Sequence, residues 1–132
     1  MNIPSFSLKN KVALVTGGSK GIGYGMATAL GEYGATIAIA SRGIEDLKKA
    51  ERSMSERGIA VKGFKADVTQ KDQVEQLVRS VVAEFGRIDI LVNNAGMNIR
   101  KLLVDIEESD WDRVVTTNLK GIFLVGQAVA KQ

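Results

Sequence analysis

Val12-Ala-Leu-Val-Thr16 runs straight into Gly17-Gly-Ser-Lys-Gly-Ile-Gly23, and the reading of that junction decides the fold. The first five residues are apolar apart from the last and show no polar alternation. Strands buried on both faces read this way, and burial on both faces marks a parallel sheet. Thr36-Ile-Ala-Ile-Ala40 and Ile90-Leu-Val-Asn93 have the same character, and Val61-Lys-Gly-Phe-Lys-Ala66 is a weaker fourth run. The glycines after the first run allow a tight turn and open a helix.

Helical periods fill the intervals. Val74, Leu77, Val78, Val81, Val82 and Phe85 make one continuous apolar stripe, with Thr69 predicted as N-cap and Gly86 as the stop. Ile22, Met26, Leu30 and Tyr33 trace a first helix closed by Gly34. Leu47, Ala50 and Met54 predict a second, closed by Gly58. Ser109 is placed to cap a last helix from about Trp111 to the end of the chain. The order β-α-β-α-β-α-β-α predicts right-handed crossovers and a doubly wound parallel sheet of the α/β class. The only proline, Pro4, precedes the first strand, and no repeat or linker divides the chain.

With 45% apolar and 25% charged residues, the chain is neither disordered nor fibrous, and 132 residues suffice for a self-contained core. No apolar run reaches the roughly 20 residues of a membrane span, and the start lacks the pattern of a signal peptide. The absence of cysteine and histidine excludes disulfides, thiolate or imidazole metal sites, and any Ser-His-Asp triad. No metal site is expected. Eighteen basic against 15 acidic residues, scattered, argue against a nucleic-acid surface. A cytoplasmic protein is expected.

Gly17, Gly21 and Gly23 form G-x-x-x-G-x-G at a strand-to-helix turn. Such a turn lets backbone N–H groups approach a pyrophosphate at a helix N-terminus, although taken alone it is also a plain glycine-rich βα turn. A phosphate-loop NTPase is excluded, because Gly18-Ser-Lys20 lacks the G-x-x-x-x-G-K-[ST] spacing.

Four separated motifs together make the chain resemble the short-chain dehydrogenases/reductases over its whole length. Thr16 to Gly23 matches the family's T-G-x-x-x-G-I-G turn, and Asp67-Val68 the aspartate position facing adenine. Asn93-Asn-Ala-Gly96 matches the N-N-A-G that supports the sheet and lines the cofactor. Asn118, in Thr116-Thr-Asn-Leu-Lys120, matches the asparagine of the catalytic tetrad. The texture is most similar to gluconate 5-dehydrogenase-like sugar or polyol reductases and to 3-oxoacyl-carrier-protein reductases. The resemblance implies a Rossmann-like fold of which residues 1–132 are the N-terminal half, a nicotinamide cofactor, and hydride transfer to or from a ketone or secondary alcohol. It implies cofactor contacts from Gly17, Ser19, Lys20, Gly21, Ile22, Gly23, Asp67, Val68, Asn94, Ala95 and Gly96, and a catalytic role for Asn118. The family's serine and Tyr-x-x-x-Lys are expected beyond the fifth strand, past Gln132. Tyr24 and Tyr33, the only tyrosines, lie in the first helix.

The end of the second strand separates NADP from NAD. An NAD site wants a carboxylate there, about 20 residues past the turn, for the ribose hydroxyls. This chain has Ala40-Ser41-Arg42 instead. Arg42 offers a charge-assisted contact to a 2′-phosphate, Ser41 a hydroxyl and Lys20 a second positive charge, so NADP is expected over NAD. Glu45 and Asp46 are read as first-turn acids of the next helix.

Several residues keep two readings. Asp67 is an adenine contact or a turn-forming aspartate. The amides of Asn93 and Asn94 bond to strand backbones or line the site. Thr116-Thr117-Asn118 marks a functional site or a slightly unwound helix satisfied by these side chains. Asn98, Arg100 and Lys101 line one wall or are solvated. The whole chain is part of an oxidoreductase or a non-catalytic dinucleotide-binding or assembly module. Leu119, Ile122, Phe123, Leu124, Val125 and Val129, together with a long flat edge at the fourth strand, predict a homo-oligomer, a dimer or tetramer.

Overall fold

In the computed structural model, which describes residues 6–132, four parallel strands form one sheet. They are β1 (Val12–Thr16), β2 (Thr36–Ser41), β3 (Val61–Lys65) and β4 (Ile90–Val92), in the order β3-β2-β1-β4. Helices α1 (Gly21–Glu32), α2 (Ile44–Glu56) and α3 (Lys71–Phe85) cross between them. After β4 come a 3₁₀ turn (Leu103–Asp105), α4 (Glu108–Val115), a π-helical turn (Thr116–Lys120) and α5 (Gly121–Ala130). Pro4 lies outside the described residues. Among them, no helix is long and apolar enough to cross a membrane.

Alternation along the central strands builds two cores. Ala13, Val15, Ile37 and Ile39 face α1 and α2, packing with Ala27, Leu47, Ala50 and Met54. Val12, Leu14, Ala38 and Ala40 face the other way, onto Leu77, Val78 and Val81 of α3 and the flank of α5. All of β1 is buried because it lies between two strands and two helical layers. The chain winds outward from β1 to β3, then returns to the far side of β1 as β4. The carboxyl ends of β1 and β4 therefore flank the switch point, where open α/β sheets form their crevice.

The structure corrects several sequence-based expectations. The buried face of α1 carries Gly23, Ala27 and Thr28, whereas Ile22 is 79% and Tyr33 59% exposed. Small side chains let this helix lie close on the sheet, and of the four large residues named in the sequence only Leu30 packs against the core. Thr69 does not cap α3: Gln70 holds that position, and the Thr69 hydroxyl donates to Asp67 Oδ1 at 2.7 Å. Ser109 does not cap α4 either; Glu107 does, in a reciprocal capping box with Asp110. β4 lies at a sheet edge as expected but is three residues long, a short edge rather than a long one.

Asp89 fastens β4 to β1. Val12 N donates to its carboxylate at 2.9 Å, and Asp89 N donates to Val12 O at 2.9 Å. The hydrogen bond from Val12 N–H, supported by Arg87, holds this carboxyl below the usual aspartate range. A carboxyl with a depressed folded-state pKa contributes stability that is present above the unfolded pKa and lost as pH falls through the folded one. Asp89→Asn is therefore expected to lower the urea midpoint at pH 7, with the wild-type and variant midpoints converging below about pH 4. Midpoints that stay parallel across that range would contradict this role.

Candidate functional site

At the end of β1 the main chain turns left-handed at Gly17 (φ 64°) and again at Gly21 (φ 60°), which opens α1. Both angles are strained for residues with a Cβ. No side chain caps α1 and no acid sits in its first turn. Its leading N–H groups and positive dipole end are thus left available to an anion.

Beneath this turn lies a polar knot. Thr16 is 1% exposed, and its hydroxyl accepts from Asn94 N and Ala95 N, each at 3.1 Å. The same hydroxyl donates to Val92 O at 3.4 Å. The Asn94 amide donates to Thr16 O at 3.1 Å and Gly17 O at 3.2 Å. A Cβ on Gly23 would stand 2.2 Å from Gly17 O and 2.4 Å from Asn94 Nδ2, so only glycine fits. Asn94 both ties the strands and lines the cavity above them. The Asn93 side chain makes no hydrogen bond among the described residues, so the expected side-chain bond to strand backbone belongs to Asn94 alone.

The crevice is a cavity of about 630 Å³. Of the residues singled out in the sequence, Gly17, Ser19, Lys20, Ser41, Arg42, Asp67, Val68, Asn94, Ala95 and Gly96 line it. Gly21, Ile22, Gly23 and Asn118 do not; the first three shape the start of α1 and Ile22 points to solvent. Thr117, Thr69, Asp46, Gly43, Ala40 and Ala66 also line the cavity and went unrecognised. Ala40 and Ala66 were legible as strand ends and Thr117 as part of the Thr116-Thr117-Asn118 irregularity, but Asp46 carried no motif. Asp67 forms a local turn, its carboxylate accepting Thr69 N at 2.9 Å, and it also lines the cavity. Arg42 is exposed, with no hydrogen bond or ion pair among the described residues. Lys20 meets Asp46 at 3.3 Å.

Thr116–Lys120 forms a π-helical turn, closed by Gly121 N donating to Thr116 O. The wide turn brings Asn118 against the loop after β4. Met97 N donates to Asn118 Oδ1 at 2.7 Å, and Asn118 Nδ2 donates to Met97 O at 2.8 Å. Both ends of the amide are thus engaged with main chain, and the side chain holds the Asn94-Ala-Gly96 segment in place. Asn98, Arg100 and Lys101 do not line the cavity. Lys101 pairs with Asp110 at 2.5 Å; that hydrogen bond raises the lysine pKa and lowers the aspartate's. A smaller cavity of about 260 Å³, between α3 and α5, contains none of the motifs. Among the described residues, no cluster of His, Cys, Asp or Glu could hold a metal ion.

Residues 11–132 match the short chain dehydrogenase family. The chain belongs to that family. It is 42% identical over 126 residues to a 3-oxoacyl-acyl-carrier-protein reductase of Staphylococcus epidermidis, a match covering 93% of this chain and 51% of that protein. It is 40% identical over 126 residues to gluconate 5-dehydrogenase of Gluconobacter oxydans, covering 96% of this chain and 49% of the relative. An actinorhodin polyketide ketoreductase solved with NADPH superposes with a TM-score of 0.89 at 38% identity, covering 92% of this chain and 46% of that one. A metagenomic short-chain oxidoreductase in complex with NADP gives 0.87 at 34% identity, covering 94% and 57%. The chain spans about half the length of the curated relatives it matches.

Two substitutions probe how the site is held. Gly23→Ala is expected to destabilise by about 1–3 kcal/mol in urea unfolding, because its Cβ drives Asn94 from Gly17. Asn118→Ala leaves the Met97 N–H and C=O without partners and is expected to cost about 1–3 kcal/mol. Faster hydrogen exchange at the Met97 amide would be the local sign, and unchanged exchange there would refute the tie.

Proposed function

We propose that this chain is the cofactor-holding part of an NADP-dependent short-chain oxidoreductase that moves hydride between the nicotinamide and a ketone or secondary alcohol. The observation that carries the cofactor choice is Arg42, an unpaired guanidinium at the rim of the cavity where β2 ends, in place of a carboxylate. An acid there would repel a 2′-phosphate, whereas guanidinium and phosphate pair through charge-assisted hydrogen bonds. The relatives solved with NADPH and with NADP support the same choice.

The residues present fit a dinucleotide. The uncapped start of α1 and the turn from Gly17 to Gly21 suit the pyrophosphate, and a side chain on Gly23 would collapse the cradle onto Asn94. Ser41 and Arg42 would take the phosphorylated ribose, Asp67 and Val68 the adenine edge, and Ala95 and Gly96 the path toward the nicotinamide. When bound, the cofactor supplies or accepts the hydride. Asn118 acts as a positioning residue in this reading, holding Gly96 and Met97 so that the cavity floor keeps its shape. Oxoacyl, sugar-acid and polyol compounds are the proposed substrate classes, from the likeness to the acyl-carrier-protein reductase and gluconate 5-dehydrogenase.

One observation favours a second reading, a dinucleotide-binding module without catalysis. Neither tyrosine lines the cavity: Tyr24 shares a 2.7 Å hydrogen bond with Ser53, and Tyr33 is exposed. In the leading proposal, then, the 132 residues hold the cofactor and the acid–base pair comes from outside them. The exposed Leu119, Ile122 and Phe123 support burial against a second copy in a cytoplasmic homo-oligomer.

Arg42→Ala is expected to weaken NADPH binding tenfold or more, matching a charged contact of roughly 1.5–3 kcal/mol, while NADH affinity stays nearly unchanged. Fluorescence titration with both cofactors checks this, and equal losses would overturn the NADP assignment. The 132-residue chain alone is expected to show no reduction of sugar-acid, polyol or oxoacyl ketones above background. Turnover by a mass-verified sample would require an acid within these residues.

A further inference from the structure

The mouth of the cavity holds one contact that the folding of the glycine turn and β2 does not require. Lys20 and Asp46, 26 positions apart, meet there Nζ to Oδ2 at 3.3 Å. Asp46 is the third residue of α2; Glu45 beside it pairs instead with Lys48, 3.7 Å away. Gly43, just ahead of α2, makes room for this orientation, since a Cβ there would stand 3.2 Å from Asp46 Oδ2. The carboxylate thus leans back over the start of α2, toward the glycine turn. Of the two cations at the rim, Arg42 is free among the described residues and Lys20 is already neutralised.

We propose that Asp46 is a specificity-determining residue: it is a resident counter-ion that Lys20 must exchange for the 2′-phosphate of the cofactor. This rests on the NADP reading above. The pair is exposed, with side chains 79% and 43% accessible, and such pairs are weak enough to be exchanged readily. A phosphate offers more charge and more acceptor oxygens than one carboxylate, so it wins Lys20. Breaking the pair costs only the ligand that uses Lys20. A nucleotide lacking the 2′-phosphate leaves Lys20 on Asp46 and loses nothing. Asp46 therefore narrows the gap between the two cofactors, and its removal widens it.

Adenosine 2′,5′-bisphosphate and adenosine 5′-monophosphate differ only in the phosphate at issue, and calorimetric titration of the 132-residue chain with each at low salt tests the proposal. Asp46→Asn is expected to tighten the bisphosphate about three- to fivefold while leaving the monophosphate unchanged, and the gain is expected to vanish in a Lys20→Met background. Asp46→Ser, equally compatible with the first turn of a helix, is expected to behave as Asp46→Asn does. An absent gain, a gain shared by both nucleotides, or one that survives Lys20→Met would overturn the exchange. If the wild-type chain does not prefer the bisphosphate and Arg42→Ala changes nothing, the NADP reading itself falls. A preference that depends on Arg42 while Asp46→Asn is silent overturns only the role of Asp46.

Discussion

Asn94 Nδ2 occupies the space that any side chain on Gly23 would need, and from there it bonds the carbonyls of Thr16 and Gly17. The site depends on this interlock. It ties the end of β1 to the segment after β4 and sets how near α1 can approach the sheet. Thr16 completes it from below, its hydroxyl meeting Asn94 N, Ala95 N and Val92 O. Buried polar groups are costly unless satisfied, so a knot in which each donor has a matched acceptor specifies one arrangement of two strands and a helix. The cavity opens where those three elements meet.

A second constraint acts from the opposite side. The π-helical turn at Thr116–Lys120 is a local irregularity inside what would otherwise be one long helix, and single-turn π segments of this kind frequently accompany functional sites. Here it turns Asn118 onto both backbone groups of Met97, so the loop after β4 is fixed at both ends. Asn94 anchors its start and Asn118 its end, with Gly96 between them close to Asn118 Oδ1. Charge at the cavity mouth is balanced on the same scale. Arg42 and Lys20 face Asp46 and Asp67, one acid tied to Lys20 and the other to Thr69.

Much of this was legible in the chain. Unalternated apolar runs marked β1 and β2 because both faces of those strands are covered, and the α3 stripe read correctly because large residues fill its interface. Ten of the lining residues belong to recognisable motifs at strand ends. The buried face of α1 was not legible for the converse reason: closeness to the sheet selects Gly23, Ala27 and Thr28, and small residues carry little periodic signal. The caps were missed because the Thr69 hydroxyl is spent on Asp67 and the Ser109 hydroxyl on Glu107, while Glu107 and Asp110 close their own capping box.

The sequence by itself determined the alternation of strand and helix, the parallel sheet, the glycine turn and the missing acid after β2. Each of these depends on residue type within a few positions, where periodicity and backbone sterics act. Only the tertiary structure decided which partner each polar group found. Asn94 rather than Asn93 ties the strands, Asn118 spends its amide on Met97, and Lys20 reaches Asp46. These pairings join residues 21 to 78 positions apart. Hydrogen bonds and ion pairs form over about 3 Å and depend on direction, so they are set by the packing of whole elements and leave no periodic trace in the chain.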